Sequence, residues 1–206
     1  MSSKSKHKSQ RKLTTQGLND FHEALIKEAT GYLEKGKIKK ARLLYIEALK
    51  KYKKDIGYEH KLVVTILNSL ARIYELEGRY DKSKPLLLEV LNTSKKLWGD
   101  ENPAVATALH NIAGIYQIEG KYKKAEDMYL KCLDISQKLF GDEHEDIAKT
   151  LHSIAGLYQI TGRDEDSKIL YLQALKMFKK LLGDEHPYTK ETKKVYQALV
   201  DKDLVK

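Results

Sequence analysis

Apolar residues recur at three- and four-residue spacings along most of the chain. From Pro103 to Glu119 they stand at Val105, Leu109, Ile112, Ala113 and Tyr116, one face of a 3.6-residue helix. A second run extends from about Tyr122 to Phe140, through Ala125, Met128, Tyr129, Cys132, Leu133 and Phe140. Asn102 is placed to cap the first helix and Pro103 to occupy its first turn. Gly120 stops that helix as a left-handed residue, and Gly141 stops the second. The pattern predicts two helices joined by a tight turn. Pro85 interrupts one second helix, about a turn in, where its missing N–H matters least.

The same pattern repeats with a period of 42 residues. Gly57, Gly99, Gly141 and Gly183 open related strings, GYEH, GDEN, GDEH and GDEH, and Gly36, Gly78, Gly120 and Gly162 form a second series. Ala29, Ala71, Ala113 and Ala155 share a column, as do Tyr32, Tyr74, Tyr116 and Tyr158. Leu49, Leu91, Leu133 and Leu175 share another, and so do Lys54, Lys96, Lys138 and Lys180. The period divides the chain into units 19–60, 61–102, 103–144 and 145–186. A helix pair has too little area to bury its own apolar face, so such units stack into a solenoid with a shared core. The alanine column lets the paired helices approach closely, and the tyrosine column packs over that contact. Pro187 to Val200 reads as one further first helix, with a narrow apolar stripe at Tyr188, Thr192, Tyr196 and Leu199. Residues 187–206 are thus expected to be a capping helix and short tail.

Composition narrows the function. The 206 residues are 41% hydrophobic and 33% charged, with one Cys and a net charge of +9. That is too apolar for a disordered chain and too charged for a membrane protein. No run reaches the length of a spanning helix. A single Cys excludes an intramolecular disulfide framework and suits a reducing, cytoplasmic setting. The charge is unevenly placed: residues 1–18 hold Lys4, Lys6, Lys8, Arg11 and Lys12 without an acid, so the arm is +5. The last twenty residues are +2, which leaves only +2 for the four units. The high charge therefore belongs chiefly to a basic, disordered arm, the part that could meet nucleic acid or an anionic membrane.

The strings LNSLARIY, LHNIAGIY and LHSIAGLY, each followed by Gly and a basic residue, resemble the tetratricopeptide repeat in its 42-residue form, the type of kinesin light chains. The resemblance covers about 168 residues, and the first unit is degenerate, with Glu28 where the others carry Leu70, Ile112 and Ile154. It implies an all-α, right-handed superhelical solenoid of helix-turn-helix repeats. It also implies a non-enzymatic scaffold whose first helices line a concave, peptide-binding groove. Eighteen residues precede the units and show no heptads. The resemblance therefore extends to fold and binding mode, not to membership of a motor.

Carried onto this sequence, that geometry places four ladders in the groove. One is Ile26, Asn68, His110 and His152; the next is Thr30, Arg72, Gly114 and Gly156. The others are Leu33, Glu75, Gln117 and Gln159, and, nearer the helix starts, Glu23, Thr65, Thr107 and Lys149. These positions face away from the alanine–tyrosine stripe, so packing does not account for them. Amides and imidazoles both donate and accept, which suits an extended peptide backbone. Gly114 and Gly156 each cost a helix about 1 kcal/mol relative to Ala. They read either as a low floor that admits a bulky ligand group or as inherited repeat sequence. His110 and His152 carry an expectation of pH-sensitive binding between about pH 5 and 8. Kinesin light chain grooves take acidic peptides bearing an aromatic residue; this one carries Arg72 and Lys149 but also Glu75 and Glu23.

Other chemistry finds little footing. His60, His144 and His186 recur one repeat apart, roughly 10 Å at ordinary helix-packing distances, too far for one zinc ion. They read as helix-start residues, and no metal or cofactor is expected. No GxSxG, GxxxxGK[ST] or strand-borne GxGxxG is present, so no catalytic residue is proposed. The acid pairs Asp100-Glu101, Asp142-Glu143 and Asp184-Glu185 recur at every junction and are expected to favour the next helix N-terminus. Cys132 and Trp98 fall in columns that read as core. A protein or peptide partner is expected, and stacking of terminal repeats leaves a homo-oligomer open.

Overall fold

The computed structural model describes residues 15–55 and 59–204. The expected disordered arm falls largely on residues 1–14, outside the described residues. Among the described residues there are nine α-helices and no strand. The first pair is α1 (Thr15–Glu34) and α2 (Ile38–Asp55), the second α3 (Lys61–Leu76) and α4 (Tyr80–Trp98). The third is α5 (Pro103–Ile118) and α6 (Tyr122–Phe140), the fourth α7 (Glu145–Ile160) and α8 (Asp164–Leu182). A single helix, α9 (Pro187–Leu204), closes the stack. Each helix packs against its neighbours in the chain, so first helices form one layer and second helices the other. In addition α5 touches α7 directly. In a solenoid of this class the first-helix layer is the inner one.

The turns explain the period. Gly36, Gly78, Gly120 and Gly162 have φ from 68° to 78°, a region closed to most side chains. The Gly120 N–H donates to the Gln117 carbonyl at 3.0 Å, and the Lys121 N–H to the Tyr116 carbonyl at 2.8 Å. The other three turns repeat this bonding, which closes the last carbonyls of the helix and fixes the angle into its partner. First helices also start alike. The Asn102 Oδ1 accepts from the Val105 N–H at 3.1 Å. His60, His144 and His186 accept through Nδ1 from the N–H two residues on, at 3.2, 3.2 and 3.3 Å. Pro85 lies further into α4 than the free N–H groups: the Ser83 N–H already bonds the Arg79 carbonyl. The proline therefore costs this helix a hydrogen bond.

The apolar core runs lengthwise through the stack. Ala29, Ala71, Ala113 and Ala155 are all fully buried, and bare methyl groups let the helices of a pair close on each other. One cluster passes without a break from Ala29 and Tyr45 through Leu67 and Val90 to Ala108 of the third pair. The tyrosine column covers this contact from the rim and takes cations on its rings. The Arg163 guanidinium lies 3.6 Å from the Tyr158 ring centre, and the Lys84 ammonium of one pair 5.3 Å from Tyr116 of the next.

Two expectations change. The acidic strings have a role besides the next helix start that was expected of them. The lysine column reaches back to them one repeat: Lys96 to Glu59 at 2.9 Å, Lys138 to Glu101 at 3.0 Å, and Lys180 to Glu143. These exposed pairs fix register between repeats more than they add stability. Trp98 is not core but 46% exposed. It is the last residue of α4, and at Gly99 the chain turns away before anything covers the indole.

Candidate functional site

The inner layer presents the predicted ladders with very different accessibility. Arg72, Thr107 and Gln159 are exposed. Thr107 spends its hydroxyl proton on the Pro103 carbonyl at 2.9 Å, which leaves its oxygen as an acceptor. Gln117 is half-buried and accepts from the Tyr129 hydroxyl at 3.3 Å. Glu75 is half-buried and accepts from Ser83 at 2.8 Å; burial pushes its carboxyl above the usual range, against the pull of Ser83 and Arg72. Lys149 pairs with Glu145 at 2.6 Å and Asp146 at 3.7 Å and lies over the Tyr188 ring. The Asn68 Oδ1 is enclosed and makes no hydrogen bond.

His110 and His152 are placed differently from the expectation that packing does not involve them. The His110 Nδ1 is 3.3 Å from the Thr150 hydroxyl on the next first helix, and its ring meets Tyr129 edge-on. His152 repeats the arrangement with Thr192 at 2.9 Å and Tyr171. Both imidazoles are wedged between repeats. Burial pulls the His110 pKa down to about 4, with Asp146 and Lys149 opposing each other beside it, and lowers that of His152. Desolvation thus takes His110 below the expected pH 5 to 8 window and shifts His152 downward.

The glycine column acquires a third explanation. A methyl group on Gly114 would stand 3.6 Å from the Tyr129 hydroxyl, and one on Gly156 3.2 Å from that of Tyr171. The room at both glycines is taken by a tyrosine from the second helix of the same pair. The first pair satisfies the same contact with Thr30, bonded to the Tyr45 hydroxyl at 2.7 Å. In the second pair the column holds Arg72, and Leu87 replaces the tyrosine. Small residues thus occur opposite tyrosines, and the one long residue opposite the leucine.

A cleft of about 270 Å³ opens where α5, α7 and α9 meet over α6. It gathers Thr107, His110 and Lys149 from the predicted set, and adds Asn111, Ser136 and Asp146. A neighbouring recess joins Glu75, His110 and Gly114 to Ile118. Asn68, Arg72, Gln117, His152, Gly156 and Gln159 line neither. The Ser136 side chain is fully buried beside the Cys132 thiol. Cys132 is buried as expected, and burial pushes its thiol pKa up, so it is a wall and not a nucleophile. Sequence reasoning also missed an apolar ladder at the ends of the first helices: Leu76, Ile118 and Ile160 are 59%, 59% and 54% exposed. Their common column was the signal.

Residues 104–180 match the tetratricopeptide repeat family, and residues 63–104 match a second description of it. The chain is a tetratricopeptide-repeat protein. Among solved structures it is similar to BtubC of P. vanneervenii, with a TM-score of 0.72 and 24% identity over 91% of this chain and 80% of that one. It is similar also to the repeats of a Podospora anserina kinesin light chain candidate, with a TM-score of 0.70 and 23% identity over 88% and 86%. RapI in its apo form gives a TM-score of 0.72 at 16% identity, over 93% of this chain and 50% of that one. At these identities the likeness is one of fold. No curated protein matches the sequence. The family is a repeat family, not an enzyme family, and it supports a protein-interaction scaffold as the role of this repeat protein.

Proposed function

We propose that the protein binds an extended peptide segment of a partner protein along the inner face of its first helices, without catalysing a reaction. The observation that carries this reading is the accessible inner surface itself. Exposed hydrogen-bonding side chains at Arg72, Thr107 and Gln159 stand beside the exposed apolar ladder Leu76, Ile118 and Ile160. Polar groups for a backbone and apolar points at a fixed repeat spacing are what an extended segment needs. Asn68, His110 and His152 support the groove from below, because their polar atoms are turned into the packing between repeats. The setting is proposed to be cytoplasmic; among the described residues no helix is long and apolar enough to cross a membrane.

The test is capture of partners from a lysate by the parent chain and by a variant carrying Arg72→Ala, Ile118→Ser and Gln159→Ala. Loss of one specific partner, with helicity retained, is the expected outcome. Retention of every partner by the variant, with loss on deleting residues 1–12, would transfer the role to the basic arm. Steep weakening with salt would then point to nucleic acid or an anionic membrane.

A further inference from the structure

We propose that the outer face of α2 rests on an anionic membrane surface, with its lysines against the headgroup phosphates and Leu43 and Ile46 dipping between them. The assignment goes beyond the groove reading. It concerns the opposite layer and holds whether or not a peptide occupies the inner one.

The charge of the chain is concentrated at one end. Residues 1–55 hold 15 basic and 6 acidic side chains, a net +9, and residues 56–206 hold 23 of each. Among the described helices the excess sits on α2, which is +5, against +2, +1 and +1 for α4, α6 and α8. The cause is the degenerate first repeat, which lacks the acids that later repeats set against the same basic columns. In the second and third pairs Glu77 holds Arg42 and Arg79, and Glu119 holds Lys84 and Lys121. The first turn has Lys35 in that column. Lys37 and Lys40 lie instead over the Tyr32 ring, 5.9 and 5.6 Å from its centre. Lys96, Lys138 and Lys180 each reach back to a glutamate; for Lys54 the matching position is Gly17.

What remains on the surface is cationic. Glu47 and Glu89 are taken by Lys51 and Lys53, each at 2.6 Å. Lys35, Lys37, Lys39, Lys40, Lys50 and Lys54 are exposed, with Glu34 and Asp55 the acids that flank them in the chain. Lys39, Leu43, Ile46, Lys50 and Lys54 recur at spacings of three and four, one line along the helix. The two aliphatic residues in the middle of that line are 64% and 43% exposed. A shallow recess at the turn, lined by Gly36, Lys37, Ile38, Lys39 and Lys40, adds no acid.

This mixture separates the anionic partners. A nucleic acid would press its phosphates against two exposed aliphatic side chains, and the one arginine of α2, the better fork for a phosphate, is already bound to Glu77. An acidic protein segment would need a pocket for an anchoring side chain, whereas Leu43 and Ile46 project from the helix. A bilayer accommodates both features: headgroups take the ammonium groups, and apolar side chains enter the interface. The contact proposed is peripheral; among the described residues no helix is long and apolar enough to cross a membrane.

The experiment mixes the full chain with phosphatidylcholine vesicles, with and without phosphatidylserine, and reads the bound fraction by sedimentation. Binding to the anionic vesicles alone is expected, weakening as salt rises. A lysine near such a surface changes the partition roughly fivefold, so Lys39→Glu with Lys50→Glu should weaken binding more than about twentyfold. A polarity-sensitive dye on Ile46→Cys should shift to the blue on anionic vesicles. The same dye on Leu130→Cys, the matching position of the third repeat, should not. Equal binding to neutral vesicles, indifference to the two lysine reversals, or a silent dye at Ile46 would overturn the assignment while leaving groove binding intact. So would tighter binding of a labelled DNA duplex or of poly-glutamate than of the anionic vesicles at the same salt, lost on the same two reversals. Should the reversals alter helicity by circular dichroism, the dye pair decides alone.

Discussion

The third and fourth repeats share almost the same first-helix string, LHNIAGIYQI against LHSIAGLYQI, while their second helices differ at most positions, Ser136 against Phe178 among them. In the fourth, Phe178 is fully buried and stacks on Tyr188 at 5.4 Å. In the third, Ser136 holds that position and a polar cleft opens nearby. The backbone is set by glycine turns and an alanine seam common to both. What distinguishes them lies mostly in the second helices, where Ser136 stands in the third repeat and Phe178 in the fourth. A solenoid can therefore keep its scaffold constant and write specificity into columns of the second helices, beneath the visible surface of the groove.

Exchanging the two residues should separate scaffold from site. Phe178→Ser is expected to cost about 3–5 kcal/mol, because it opens a cavity in a packed layer and removes the stack on Tyr188. Ser136→Phe should cost less, about 1–3 kcal/mol, as a ring inserted at a fully buried serine. Urea denaturation of both variants checks this, and equal losses would mean the two positions are equivalent in packing.

A change in pH probes the imidazole that the two repeats share between them. The His110 pKa is about 4 in the folded chain, against roughly 6.5 when unfolded. Between those values the unfolded chain takes up a proton that the folded chain refuses. Stability therefore falls as pH is lowered from 6.5 to 4, by about 3 kcal/mol from this group, and His152 acts in the same direction. His110→Gln should flatten the pH dependence across that window. An unchanged slope would place the loss elsewhere.

The glycines test the comparison more finely. Gly114→Ala meets the Tyr129 hydroxyl at an ordinary 3.6 Å and should gain up to about 1 kcal/mol from helix propensity. Gly156→Ala meets Tyr171 at 3.2 Å, so its gain should be smaller until Tyr171→Phe removes the hydroxyl. Thermal unfolding of the single and double variants measures the difference. Smallest of all, Lys138→Ala removes an exposed tie to Glu101 and should leave the unfolding midpoint almost unmoved.

The fold was legible in the sequence because it is periodic. Each glycine, alanine and cap appears four times, and Gly120 or Asn102 does the same work wherever its column recurs. The candidate site was legible only in part, for the opposite reason. His110 looked free on its own helix, but its partners Thr150 and Ser153 lie forty or more residues away and close over it only once repeats stack. The cleft draws on four helices, α5, α6, α7 and α9, whose lining residues meet only once the repeats stack. Trp98 misled because hydrophobicity places a residue in a column, whereas the turn at Gly99 decides what covers it.

The central claim is that a partner lies along the first helices and not along the second. A photo-crosslinking residue placed at Gln117 or Gln159 on the inner layer, and separately at Leu88 or Leu130 on the outer one, tests it in intact cells. Covalent capture of the same partner segment from the inner positions alone is the predicted result. Capture from Leu88 or Leu130, with none from Gln117 or Gln159, would contradict it.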